Sequence, residues 1–440
     1  MCYTYPRKLF ISKWPGRRPV CILTAVVVLA LMSSPAGADY HIEITPMIVV
    51  GENYDDNIDS ENRDEESDYI TTISPGIKIE IDSHKNGLSL DYAPTWARYH
   101  KNKDNNAVRQ TGSLSLWRSF GKHLRFDLRE SYLRSEESIE AERETQRIRR
   151  TRDIYERNDI DTNLNYQFGP EDHLTIGYHH GLLENDDPTM EDSTEHGPSG
   201  TLSYWFNIRN GIELGYGFSG YRFDREEGAA SSDDIDSHEA DVSYIHRFGP
   251  RTRARVNYGL GVRNFREEPV DYQVHDGSVG LEKDFSSRTS LSLELGFYEP
   301  TGDLSEDTGI ECAAGIERKI KHGSITLGIR KGWDEDYMDA EKRDFTEYWS
   351  TQARIEYDIF ENLHIYAGGS YRNNSYTMEE TEDDETYEGR CGLVLEFLRR
   401  FSLALGYTRL DRKSDDPDDE YVDNMIMVTL SASRPFKWVR

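Results

Sequence analysis

Apolar and polar positions alternate along most of this chain. Leu88, Leu90 and Tyr92 alternate with Ser89 and Asp91, and Leu124, Phe126 and Leu128 alternate with Arg125, Asp127 and Arg129. Leu291, Leu293, Leu295 and Phe297 are separated by Ser292, Glu294 and Gly296, and Phe401 to Tyr407 repeats the pattern. A period of two is the mark of a β-strand with one apolar face and one wet face. Amphipathic helix patterns are few.

The strands come in a repeating unit: an aromatic or Ile, a tight polar turn, then an alternating run often ending in Gly-Tyr. Phe168-Gly169-Pro170 leads to Leu174, Ile176 and Tyr178, and Phe248-Gly249-Pro250 leads to Val256 and Tyr258. Phe206 opens a further unit, and Ile81, Phe120, Phe285, Ile320, Phe360 and Phe397 open the rest, one about every 40 residues. That period also suits a propeller blade, but no Gly-His or Trp-Asp signature is present and each unit has too few turns for four strands. Each unit instead predicts two strands of about 10–13 residues, joined at one end by a short turn and at the other by a long acidic loop. Nine turns flank 18 strands. The runs at Tyr40–Val50 and Tyr421–Trp438 bring the count to about 20, with 18 as the alternative.

Long loops at one end and short turns at the other are the asymmetry of a transmembrane up-and-down antiparallel β-barrel, with short periplasmic turns and long extracellular loops. In lipid both edges of a sheet must be paired, so the sheet has to close. The apolar parity is assigned to lipid. The other parity is assigned to the lumen, where Arg125, Asp127, Arg129, Arg253, Arg255, Arg263, Glu294, Arg330, Arg354 and Glu356 are the candidate lining charges. Most of these are expected to satisfy one another, and a minority to set charge selectivity. On the last strand Phe436 and Trp438 share the parity of Ile426, Val428 and Leu430, and serve as the candidate C-terminal signal for the barrel assembly machinery. Cys312 and Cys391 fall on the apolar parity of strands 14 and 18, about 19 Å apart by strand spacing. That is too far for a disulfide, so two free thiols facing lipid are expected.

The N-terminus follows a different pattern. Arg7, Lys8, Lys13, Arg17 and Arg18 precede an apolar run from Val20 to Met32 and the small-residue segment Ser33–Ala38. This is the grammar of a cleaved secretory leader, and the run is too short for a spanning helix. Residues 1–38 are therefore expected to be a signal peptide, and residues 39–440 one outer-membrane barrel domain. Loss of the leader's five basic residues takes the formal charge from −29 to −34. Such a charge speaks against a nucleic-acid partner, because phosphate contacts need clustered Lys and Arg. With 27 Tyr, 16 Phe and 7 Trp the chain is no disorder candidate either. Placing the excess acid in the long loops reconciles a polar average with a membrane barrel.

The segments Ile44-Thr45-Pro46, Glu52-Asn53-Tyr54-Asp55-Asp56-Asn57-Ile58 and Asp68-Tyr69-Ile70-Thr71-Thr72-Ile73-Ser74-Pro75-Gly76 carry a resemblance. Over residues 44–81 the chain resembles a β-barrel porin family found beside exopolysaccharide loci, including outer-membrane proteins of exosortase-associated systems. The resemblance implies a Gram-negative outer-membrane barrel of about 18 strands, surrounded by lipid and lipopolysaccharide. It further implies a role in polysaccharide export with periplasmic export proteins as partners. It supplies no catalytic residues.

The residues themselves offer little chemistry. Gly217-Phe218-Ser219-Gly220 is one residue short of a nucleophile elbow, and His238-Glu239 is followed by Val242 where a zinc-binding helix needs His. His179 and His180 are adjacent on a strand, so their rings point to opposite faces. No enzyme is expected. The acidic loops, with Asp55, Asp56 and Asp59 in one and Asp415, Asp416, Asp418 and Asp419 in another, are candidate oxygen ligands for Ca²⁺ or Mg²⁺, weighed against the plainer reading of solvated loops. Three functions stay open: a porin-like channel with exopolysaccharide exit as its specific form, a structural or adhesive surface barrel whose loops bind cations or glycans, and a secreted soluble β-repeat protein.

Overall fold

A computed structural model describes residues 40–439 except 64, 138–151, 188–189, 225–233, 267–270, 304–307, 336–344, 377–382, 416 and 418. The expected leader, residues 1–38, lies outside the described residues. Among them the chain forms long strands and a single helical turn at Lys103–Asn105.

The first ten strands are β1 (His41–Asp55), β2 (Asp68–Asp82), β3 (Asn86–Tyr99), β4 (Ala107–Phe120), β5 (Leu124–Ser135), β6 (Tyr155–Gln167), β7 (His173–Asn185), β8 (Asp192–Trp205), β9 (Asn210–Asp224) and β10 (Ile235–Gly249). The next ten are β11 (Thr252–Phe265), β12 (Tyr272–Ser286), β13 (Thr289–Gly302), β14 (Gly309–Ile320), β15 (Gly323–Glu335), β16 (Phe345–Phe360), β17 (Leu363–Tyr376), β18 (Asp383–Phe397), β19 (Phe401–Ser414) and β20 (Tyr421–Ser433). A short β21 (Phe436–Val439) continues β20 past Pro435, a residue that cannot donate to the ladder.

Each strand pairs antiparallel with the next, and β20 and β21 both pair with β1, from Asp55↔Met425 down to His41↔Val439. The sheet is thus a closed barrel of 20 staves with no free edge. Phe436 and Trp438 lie opposite Ile44 and Ile42, and so form the last rungs of the closing seam. The connections alternate in length. One end of the barrel has turns of two residues (250–251) to five (168–172), and the other has connections of six (186–191) to nineteen (136–154). Gly121, with φ of 87°, makes one of the short turns with a left-handed backbone that disfavours a side chain.

The alternation read from the sequence is carried through the register. Val50, Ile73, Trp96 and Val108 lie on one outward row, and Tyr244, Val256, Val279 and Leu295 on another, all exposed on the outside of the barrel. An apolar outer belt of this kind suits lipid and not water, which sets aside the soluble β-repeat reading. Cys312 on β14 and Cys391 on β18 share this outer face and are not bridged. The staves run 12–16 residues, longer than the 10–13 expected. The surplus lies at the long-loop end, where the hairpins continue beyond the apolar belt and can pack on one another.

Candidate functional site in the barrel interior

All ten lining charges proposed from the sequence fall on the inner face. Arg125, Asp127 and Arg129 stand on β5, and Arg253, Arg255 and Arg263 on β11; Glu294 is on β13, Arg330 on β15, and Arg354 and Glu356 on β16. Arg253, Arg255, Glu294 and Arg330 line a single recess of about 1280 Å³ in the wall from β10 to β16.

Most of these charges are held by a neighbour. Arg125 reaches Asp127 at 2.7 Å, Arg253 reaches Glu282 at 2.5 Å, Arg255 reaches Glu213 at 3.2 Å and Arg354 reaches Glu356 at 2.6 Å. Glu294 accepts the Ser278 hydroxyl at 2.6 Å and the Asn257 amide at 3.3 Å. The Arg354 and Glu356 side chains are 59% and 47% exposed, so the pair is hydrated although it lies inside the barrel. Inner glycines leave room for such groups: a Cβ on Gly259 would lie 2.0 Å from Asp276 Oδ2, which rests flat on the wall there. His179 points inward to Asp161 at 2.9 Å and Glu195 at 3.5 Å, whereas His180 points outward and stacks on His196 at 4.8 Å.

The long-loop end is built differently. Tyr272, Val274, Tyr298 and Phe345 form a buried cluster with Phe265 and Trp333 packed against it. Tyr272 Oη donates to Glu335 Oε1 at 2.7 Å, and the Tyr298 hydroxyl donates to Glu347. Arg263 donates to Glu335 at 2.6 Å and to Glu239 at 3.0 Å.

β11 and β15 are four staves apart, about 19 Å along the wall. Glu335, Trp333, Phe345 and Glu347 also have the parity that faces lipid lower on the same strands. Both facts have one explanation. The β14–β15 ladder stops at Cys312↔Lys331, and beyond it the tip of the β15–β16 hairpin leaves the wall and folds its outer face onto the inner face of β11–β13. Strand parity by itself gives these tip residues the lipid face, and the sequence reading singles out none of them. Alternation alone carries no signal for a hairpin that crosses the mouth.

Across the barrel, two loops meet. Arg152, beyond β5, donates to Asp59 in the 56–67 loop at 3.0 Å and to the Tyr99 hydroxyl at 2.9 Å. Tyr99, fully buried, donates to Glu136 at 3.1 Å, and Arg109 pairs with Glu136 at 2.7 Å. Asp68, equally buried, accepts the backbone N–H groups of Tyr69, His100, Lys101 and Asn102, which pins the 100–106 loop to β2.

The candidate cation ligands divide accordingly. Asp59 is engaged by Arg152, and Asp415 accepts the Asp383 N–H at 3.3 Å. Asp416 and Asp418 lie outside the described residues, and Asp419 belongs to no acidic cluster among the described residues. Asp55 and Asp56 meet Asp423 of β20, a residue the sequence reading passed over because it lies 368 positions from Asp55 in the chain.

A closed barrel with an apolar outer belt and a hydrated, mixed-charge interior is the architecture of an outer-membrane porin. The family model described as Putative beta-barrel porin 2 matches residues 43–170 and 347–434, on both sides of the closing seam. The chain belongs to this β-barrel porin family. It is an outer-membrane barrel of the Gram-negative envelope, porin-like in build. Among solved structures it is similar to a mutant of the ferric enterobactin receptor PfeA from Pseudomonas aeruginosa, with a TM-score of 0.53 and 9% identity over 91% of this chain and 82% of that one. It is also similar to the siderophore receptor PirA from Pseudomonas aeruginosa, with a TM-score of 0.52 and 10% identity over 89% and 80% of the two chains. At such identities the likeness shows the fold alone. No curated protein matches in sequence. The family assignment agrees with the resemblance carried by residues 44–81, which fall inside the first matched segment.

Proposed function

We propose that this porin is a non-enzymatic channel for polar, saccharide-sized solutes, with exit of an exopolysaccharide as its specific role and periplasmic export proteins as its partners. One observation carries the reading: the inner wall of a 20-stave barrel is lined below its mouth by exposed, paired charges such as Arg253–Glu282 and Arg354–Glu356. Barrels of 16–18 strands already leave an aqueous channel, and interior width grows with strand number. Charge pairs of both signs separated by glycine present hydrogen-bond donors and acceptors without a strong net field, which suits a hydroxyl-rich polymer. The resemblance over residues 44–81 supports the polysaccharide assignment.

The packed mouth favours a second reading, a surface barrel that binds glycans or cations through its loops and whose lumen stays shut. Planar-bilayer recording separates the two. The channel reading expects discrete conductance steps from the full-length barrel, or from a variant with the β15–β16 tip released, and partial block by added oligosaccharide. A barrel that inserts but conducts in neither form, while binding glycan at its surface, would establish the second reading.

A further inference from the structure

We propose that Asp55, Asp56 and Asp423 form a Ca²⁺ site that clips the first long loop to the last strand at the seam where the barrel closes.

The three residues come from both ends of the chain. Asp55 ends β1 opposite Met425, Asp423 stands two residues further along β20 on the same inner face, and Asp56 opens the 56–67 loop. One carboxylate oxygen from each lies within 4.8 Å of the others. Two of the carboxylates are oriented by the backbone. Asp55 accepts the Asn57 N–H at 2.9 Å, and Asp56 accepts the Asn424 backbone N–H at 2.7 Å and its side-chain amide at 2.9 Å.

Asp423 is different. It is only 2% exposed, and its Oδ1 is buried with no hydrogen-bond donor. A buried carboxylate oxygen facing two like charges with no donor is costly unless a cation compensates it. Arg152 attracts both Asp55 and Asp423, but its Nε and Nη1 are bonded to Asp59 and to the Tyr99 hydroxyl. Asn53, the next residue down β1 on the inner face, also holds a buried Oδ1 with no donor, a neutral oxygen of the kind Ca²⁺ takes alongside carboxylates. An all-oxygen set in irregular array suits Ca²⁺, which accepts six to eight ligands flexibly; Mg²⁺ demands a near-ideal octahedron. An ion at this position would tie loop to seam, since the loop is already seated through Ile58, fully buried, and through the Asn57 amide on the Val422 carbonyl at 3.0 Å. The site does not depend on whether the barrel conducts.

The test uses the full-length barrel, purified in detergent and stripped with chelator. Isothermal titration with CaCl₂ is expected to show one saturable site per barrel, with a rise in the thermal midpoint of heat-modifiable migration. Asp423→Asn and Asp55→Asn, made separately so that one carries the test should the other fail to fold, are each expected to weaken binding at least tenfold and abolish the rise. Asp415→Asn is expected to change neither. Equal Ca²⁺ responses in wild type and both variants would overturn the proposal. So would a wild-type barrel that binds no Ca²⁺ and whose stability answers only to pH, which would mean that Asp55 and Asp423 share a proton instead of an ion.

Discussion

The two ends of the interior use the same residue types to different effect. Near the short turns, Arg253 and Glu282 meet at 2.5 Å with side chains 52% and 49% exposed. At the mouth, Arg263 and Glu335 meet at 2.6 Å with side chains 4% and 5% exposed. The first pair sits in lumen water, where charges are screened and an ion pair contributes about 0–1 kcal/mol. The second lies beside Tyr272, Tyr298 and Phe345, where breaking a pair costs about 3–5 kcal/mol because the charge left behind is buried, with only the exposed Glu239 to offset it. The difference teaches that the lower wall is permissive and tunable, while the mouth is a packed structure that holds one shape. In a channel, the first sets what is attracted and the second sets whether anything passes.

The sharpest way to break this contrast is to remove one acid from each pair. Glu335→Ala is expected to destabilise the folded-over tip by about 3–5 kcal/mol, and Glu282→Ala by about 0–1 kcal/mol. Thermal midpoints of heat-modifiable migration report the stability, and planar-bilayer recordings should show larger conductance steps for Glu335→Ala alone. Joint replacement of Arg263 and Glu335 by Met should recover most of the loss, since no buried charge is then stranded. Equal effects at the two ends would show that the mouth is as wet as the lower wall.

Tyr298→Phe is a smaller intervention in the same cluster. It keeps the ring that packs on Phe345 at 6.0 Å and Trp333 at 6.3 Å but removes the hydroxyl that donates to Glu347. A hydrogen bond to a charged group contributes about 1.5–3 kcal/mol, so faster hydrogen exchange is expected in the β15–β16 tip, with the barrel below unchanged. A uniform change around the barrel would mean that tip and wall are one cooperative unit.

The contrast also marks how far the sequence could be read. Parity assigned the inner and outer faces, and it placed Arg253 and Arg354 on the lumen wall and Cys312 and Cys391 on the outer one, because side chains along a paired strand must alternate. Applied to Glu335 and Phe345, the same rule would give the lipid face. It fails there because the strands continue after their neighbour β14 has stopped pairing, so the tip is free to turn its outer face inward. Asp423 was missed for a related reason. The closing of β20 on β1 follows from the need to pair both sheet edges in lipid, but the rung that meets Asp55 depends on the register of the seam, which alternation does not determine.

Lower on the wall, Arg354→Ala is expected to leave the thermal midpoint nearly unchanged, within about 1 kcal/mol, because its partner Glu356 remains solvated. The effect should appear in selectivity. Removing one fixed positive charge from a wet wall raises the cation-to-anion permeability ratio, as read from reversal potentials under a salt gradient. An unchanged ratio, with conductance also unchanged, would place Arg354 away from the conducting path.

The smallest effect concerns the turn at 168–172, outside the membrane-spanning strands. There Glu171 accepts two hydrogen bonds from Arg247, at 2.9 and 2.6 Å, while the guanidinium lies 3.6 Å over the Trp205 ring. The hydrogen bond to Arg247 holds the Glu171 carboxyl below its ordinary value of 4.5. Because the folded value is depressed, the turn is stabilised fully above pH 4.5, and the stabilisation is lost as pH falls below it through the folded value. The Glu171 and Arg247 side chains are 48% and 31% exposed, so salt should screen the effect. Wild type should therefore lose more thermal stability than Glu171→Gln on acidification below pH 4.5, and the difference should shrink from about 0.01 M to about 1 M salt. A difference that persists at high salt would mean that the pair is shielded from water, and that the short-turn end is packed in the manner of the mouth.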